Sequence, residues 1–216
     1  MKKRFLSIVL AVCMLAGTEE IMPGDLTVQA EEVQSGSETT DQTVFTLSSV
    51  ETQTESFIYS GKANHPAIVV TDTDGQIVDA SNYTVTYADN TDVGQATVTV
   101  SGDGNYIGTV SASFTILPKG TALSAVTAKK KGFLARWKKQ EVQTTGYQLQ
   151  YGTNAQLKGA KTLTVKKNKT VSAAVKKLKA KKKYYVRIRT YKTVRIDGKS
   201  SVLYSDWSKT KTVKVK

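Results

Sequence analysis

From Thr43 onward the chain alternates apolar and polar residues with a period of two, and that habit confines it to sheet. Tyr83, Val85 and Tyr87 alternate with Asn82, Thr84 and Thr86, and Ala96, Val98 and Val100 alternate with threonines. Val110, Ala112, Phe114 and Ile116 repeat the pattern. Further on, Phe133, Ala135 and Trp137 oppose Leu134, Arg136 and Lys138, while Tyr147, Leu149 and Tyr151 alternate with Gln148 and Gln150. Val171, Ala173 and Val175 precede Leu178; Val186 and Ile188 alternate with Arg187 and Arg189; Val213 and Val215 close the series. Turn formers separate these runs at Asp74-Gly75, Asp89–Gly94 and Gly102-Asp103-Gly104-Asn105. No stretch of this region keeps a helical period. About seven short strands per hundred residues predict an all-β fold: two small β-sandwich domains in tandem after a cleavable signal peptide.

The signal peptide is read in residues 1–30. Lys2, Lys3 and Arg4 precede the apolar stretch Phe5–Ala16, and Val28-Gln29-Ala30 supplies the small residues of a cleavage site. A stretch of twelve residues is too short for a bilayer span, which needs about 20. The expected location is therefore secreted or at the cell surface, without a membrane span. The single Cys, Cys13, lies in this segment and leaves with it. Val12 before it argues against a lipid-anchored cysteine. Residues 31–42 (EEVQSGSETTDQ) are acidic and polar, with too little apolar surface to offset ordering, so a flexible leader is expected.

Charge divides the remainder. Residues 31–118 hold 12 acids and the single base Lys62, a net −11; residues 119–216 hold 27 bases and 3 acids, a net +24. The break falls at Pro118-Lys119-Gly120, which sets the expected boundaries: an acidic domain over 43–117, a linker over 118–120 and a basic domain over 121–216.

The basic domain resembles a fibronectin type III domain. Trp137, ending Phe133-Leu134-Ala135-Arg136-Trp137, fits the core tryptophan, and Gly146-Tyr147-Gln148-Leu149-Gln150-Tyr151 fits the third strand. Leu178, followed six residues later by Tyr184, fits a tyrosine corner, although Ala180-Lys181 stands where the family usually has Pro-Gly. The resemblance implies structural core roles for Trp137, Tyr147, Tyr151, Leu178 and Tyr184, and it implies a spacer or binding module rather than an enzyme. The acidic domain, over about residues 56–117, resembles the immunoglobulin-like repeats of bacterial surface proteins through YTVTYADNTDVGQATVTVSGDGNYIGTVSASFTI, with Tyr59-Ser60-Gly61 upstream.

No catalytic, metal or cofactor constellation emerges. The lone His65 precedes Pro66 with no G-x-S-x-G nucleophile in the chain, so a surface position is expected. Asp72-Thr73-Asp74-Gly75 resembles a calcium-loop start, but Tyr83 occupies the place of the liganding Glu, so a hairpin turn is expected. Lys62 and an Asn-free last strand (Thr109–Ile116) give no basis for an isopeptide crosslink. Asp197-Gly198 marks a tight turn in a protruding hairpin over Tyr191–Tyr204. Trp207 has two readings: an internal stack on Arg187 or Arg189, similar to that of cytokine-receptor fibronectin domains, or a glycan platform. One feature exceeds a solvated surface. Lys176, Lys177, Lys179, Lys181, Lys182 and Lys183 crowd one strand end, and Arg187, Arg189, Lys214 and Lys216 fall outward on one sheet. Lys129–Lys131 and Lys166, Lys167 and Lys169 add further clusters. So dense a charge repels itself, which leaves two readings: a solvated face tuned for solubility and against edge pairing, or a site where a polyanion relieves the repulsion. The expected partner is an anionic cell-wall polymer or extracellular polysaccharide, with self-association of the acidic and basic domains as a second option. Sequence-specific nucleic-acid reading is disfavoured, because the aromatics fall on inward positions. An accessory carbohydrate-binding or spacer module is the alternative role.

Overall fold

A computed structural model describes residues 43–216. The signal-peptide and leader expectations, over 1–30 and 31–42, lie outside the described residues.

The acidic half runs β1 (Phe45–Thr52), β2 (Ser56–Ile58), β3 (Ile68–Asp72), a 3-10 turn (Ala80–Asn82), β4 (Tyr83–Ala88), β5 (Gly94–Gly102), β6 (Tyr106–Ile107) and β7 (Thr109–Leu117). These strands form two sheets, β3-β1-β6 and β2-β7-β5-β4. The alternation decides which face goes in. Ala96, Val98, Val100 and Ile116 are fully buried, and Phe114 is nearly so. On the opposite face of the same strands, Thr97, Thr99 and Ser101 stand across from Ser113, Ser111 and Thr109. The hydroxyls of Thr99 and Ser111 meet at 3.0 Å, and those of Ser101 and Thr109 at 3.2 Å.

The turn at Asp72 is self-contained. Its buried carboxylate accepts the amides of Asp74 (3.0 Å) and Gln76 (2.9 Å), which closes the turn on itself. His65 is exposed, with its ring 4.7 Å from that of Tyr87 in an edge arrangement.

The basic half runs β8 (Leu123–Lys129), β9 (Gly132–Trp137), β10 (Gly146–Gly152), β11 (Lys161–Val165), β12 (Ser172–Lys176), β13 (Lys183–Ile196), β14 (Lys199–Tyr204) and β15 (Lys211–Lys214). Its sheets are β12-β9-β8 and β11-β10-β13, with β14 and β15 both lying along β13. The protein is thus all-β, with two sandwiches in succession. Its second core joins Phe133, Ala135 and Trp137 of one sheet to Tyr147, Leu149, Val186 and Ile188 of the other. Trp137 and Tyr147 pack ring to ring at 5.3 Å. The Tyr147 hydroxyl accepts the Gln140 amide at 2.8 Å and lies 2.8 Å from the Asn168 carbonyl, so one buried oxygen fixes two loops. Val171 departs from the expected core: it precedes β12 and is 38% exposed. No described helix is long and apolar enough to cross a membrane.

The β12–β13 connection is a tyrosine corner. The Tyr184 ring is buried, and its hydroxyl accepts the Lys179 amide at 3.2 Å. Lys181, at the place of the family's glycine, has a φ of 61°. A left-handed non-glycine residue costs roughly 1–2 kcal/mol, against roughly 0.5–1 kcal/mol for ordering a glycine. Lys181→Gly should therefore raise the stability of this half by about 0.5–1 kcal/mol. Both tryptophans, Trp137 and Trp207, lie in this half, so urea unfolding followed by tryptophan fluorescence reads it directly.

Candidate anion-binding site

The last edge of the basic sandwich is broken. β14 pairs with the far part of β13 (Tyr191↔Tyr204) and β15 with its start (Lys183↔Lys214), leaving Ser205–Thr210 between them. Two serines keep the gap attached. Ser205 and Ser208 accept the amides of Thr190 and Ile188 on their hydroxyls, at 3.0 and 3.1 Å, and give their own amides to the Thr190 and Ile188 carbonyls. The excursion carries Trp207 to the outer face of the sheet. There the Arg187 and Arg189 guanidiniums stand 4.7 and 4.3 Å from its ring centre, and Arg189 lies 3.7 Å from that of Tyr204.

Register completes the stack. Gln150 and Gln148 are the cross-strand partners of Arg187 and Arg189 on β10. Their side-chain carbonyls accept from the guanidiniums, at 2.7 Å for Gln150 to Arg187 and 2.7 and 3.0 Å for Gln148 to Arg189. Burial draws the Arg189 pKa below its ordinary value, an effect opposed by Tyr204 and reinforced by Arg187. The rings and amides replace the lost water. Arg187 and Arg189 are thus engaged within the domain, and the Trp207 ring is engaged by them.

The lysines lie elsewhere. Three segments distant in sequence meet at the end of the sandwich where β8 turns into β9. The Leu178 amide donates to the Lys131 carbonyl (3.0 Å), the Lys131 amide to Lys216 (2.7 Å), and the Lys181 amide to Val215 (2.9 Å). These bonds gather Lys129–Lys131, Lys176, Lys177, Lys179, Lys181–Lys183, Lys214 and Lys216, all exposed. Lys183 and Lys214 stand directly opposite one another across β13 and β15. Among the described residues the ion pair present is Lys139–Glu141, which is not at this end. Two clefts open here. One, of about 250 Å³, is lined by Lys129–Lys131, Gly132, Phe133 and Ala174–Lys177. The other, of about 320 Å³, includes Tyr151, Lys161, Lys177, Lys179 and Tyr184.

Of the ten cations singled out in the sequence, the structure therefore collects eight lysines and sets the two arginines apart. It adds Lys129–Lys131, which the backbone bonds to Leu178 and Lys216 bring in. Lys166, Lys167 and Lys169 belong to the opposite end, where the Asn168 carbonyl meets Tyr147 and its side-chain amide donates to Glu141. Trp137, Tyr147 and Tyr184 are buried, whereas Tyr151 and Leu178 are half-buried at the core margin. The sequence alone did not show Gln148 and Gln150 as arginine partners, or Lys161 beside Tyr151; the cross-strand register supplies both. Between the two sandwiches, a groove of about 420 Å³ places Asp89 and Asp92 of the acidic half near Lys192 and Arg195 of the β13–β14 arm.

Residues 117–206 match the family model of the fibronectin type III domain. That stretch of the chain is a fibronectin type III domain, of a family that is generally non-catalytic. No curated protein matches the chain significantly. Among solved structures, the chain is similar to the FN1–FN3 domains of chicken CNTN1, at 14% identity and a TM-score of 0.39, covering 80% of this chain and 68% of that one. It is also similar to a run of titin domains, at 13% identity and a TM-score of 0.28, covering 79% and 68%.

The Arg189–Trp207 contact should act as a structural unit. A double-mutant cycle of Arg189→Gln and Trp207→Leu, read by urea unfolding with Trp137 fluorescence, should give a coupling of about 0.5–2 kcal/mol. Strict additivity would show that the stack contributes nothing.

Proposed function

We propose that the protein is a secreted, non-catalytic binding protein whose fibronectin type III domain holds an anionic cell-wall or matrix polymer at its lysine end. The observation that carries this reading is the convergence of eleven exposed lysines from three segments onto one end of the domain, with no acidic partner among the described residues. A surface tuned only for solubility mixes signs, and this end does not. A long polyanion relieves the repulsion and releases its own counterions on binding, so affinity falls steeply with salt. The immunoglobulin-like acidic half serves as a spacer that repels the same polymer and leaves the lysine end as the point of contact.

The alternative, an accessory carbohydrate-binding module with Trp207 as platform, is weaker, because Arg187 and Arg189 already cover that ring. Self-association through the acidic and basic halves has a local counterpart in the Asp89, Asp92, Lys192 and Arg195 groove.

The test is binding of the full chain to isolated cell wall and to soluble polyanions across a salt series. If about six charges engage, affinity should drop roughly 10³-fold between about 50 and 200 mM salt. Replacing Lys129–Lys131 and Lys181–Lys183 by Gln should weaken binding and flatten that slope. Salt-insensitive binding, or none at low salt, would remove the proposal.

A further inference from the structure

The two clefts at the lysine end share Lys177 but differ in chemistry, and only one contains an accessible aromatic ring. The smaller has lysines around Gly132, Phe133, Ala174 and Val175, with Phe133 fully buried and Gly132 closed by the Val175 carbonyl. It offers charge without a surface to stack on. The larger lies between β10, the turn before β11 and the tyrosine corner, and Tyr151 is its half-buried wall. Tyr151 packs against Phe133 at 5.8 Å on the core side and lines the cleft on the other.

The rest of the lining suits a ligand that is part ring and part anion. Lys161 is the cross-strand partner of Tyr151, so its side chain leaves the sheet on the same face as the aromatic ring, and both line the cleft. Lys177 and Lys179 face it from the corner, and Leu178 lies between them. Thr153 adds a hydroxyl. Gly152 lets the chain pass close to Ala160, and Gly159, at a φ of 67°, has open space where a side chain would stand.

The geometry points to this cleft as a subsite for one uronic-acid ring of an acidic polysaccharide, with the apolar sugar face on Tyr151 and the carboxylate on Lys161, Lys177 and Lys179. The inference rests on the polyanion reading above and narrows it to a sugar acid. A phosphodiester polymer is the poorer fit. A phosphate-linked chain without rings offers no apolar face to Tyr151, and its charge is served equally well by the lysines of the other cleft, which has no accessible ring. Single-stranded nucleic acid is held by successive aromatic platforms, and this cleft has one such ring.

The experiment is isothermal titration of the full chain at one low ionic strength with three probes: an oligogalacturonate, a linear polyphosphate and an oligothymidylate. Tyr151→Leu should weaken the oligogalacturonate about tenfold, roughly the worth of one stacked ring, and leave polyphosphate within about twofold. Tyr151→Phe should keep oligogalacturonate affinity. Gly159→Asn supplies a variant that leaves the core untouched, since Asn tolerates the left-handed backbone. It should obstruct the cleft and impair oligogalacturonate binding alone. Equal effects on all three probes, or none on any, overturn the subsite while the broader polyanion reading stands. Loss confined to oligothymidylate overturns it in favour of nucleic acid. Failure of the unmodified chain to bind any probe overturns both readings.

Discussion

Strand β13 serves two faces at once, and the basic half depends on its register. Tyr184, Val186, Ile188 and Thr190 point into the core, while Lys183, Tyr185, Arg187 and Arg189 form the outer row. A slip of one residue against β10 would place guanidiniums among Phe133, Leu149 and Trp137 and put the aliphatic side chains in water. Burying an unpaired charge in this way would cost several kcal/mol, more than any single contact in the domain returns. The outer row then reinforces the choice. Gln148 and Gln150 meet Arg189 and Arg187 only in the native register. The serines at 205 and 208 hold the broken edge so that Trp207 closes the stack. One strand therefore sets the core, the arginine face and the tyrosine corner together.

The lysine end runs against stability. Like charges such as Lys183 and Lys214 stand opposite each other, and the turns that carry the lysines take left-handed backbone at Lys131, Lys177 and Lys181. Glycine would be favoured at each of these positions for conformation alone. What opposes the repulsion is backbone bonding between the β8–β9 turn, the corner and the chain after β15, together with Val213 and Val215 packed beneath. The lysines thus rise from turns whose backbones are tied to one another by hydrogen bonds.

Much of this was legible in the residues themselves. Period-two alternation assigned the inward faces of β5, β7, β9, β10 and β13, because a half-buried strand has few other ways to arrange its side chains. Asp197-Gly198 announced the arm, and both residues have positive φ, 50° and 74°, as a tight hairpin turn needs. The limits were equally physical. Nothing in Ser205-Asp206-Trp207-Ser208 alone says that the last strand breaks there, since the break is defined by what Thr190 and Ile188 offer across the gap. Val171 continued the alternation by one residue beyond the point where pairing with β9 begins. Above all, lysine density could not distinguish Lys166–Lys169 from Lys129–Lys131. Both are clusters of three, and only topology sends them to opposite ends.

That topology also bears on the acidic half. The chain leaves β7 at Leu117 and enters β8 at Leu123, and the turn that ends β8 is already the lysine end. The lysines therefore sit at the end of the basic sandwich away from its point of entry, separated from the joint by the length of the strands. At physiological ionic strength, exposed charges farther apart than about 8 Å are largely screened from each other. At roughly 3.3 Å per residue, a strand as long as β8 spans about 20 Å, well beyond that distance. The aspartates of the acidic half consequently neutralise little of the lysine field, whatever the angle at the linker. A net charge of +13 for the whole chain understates what an approaching polymer meets, because the two signs act at separate places.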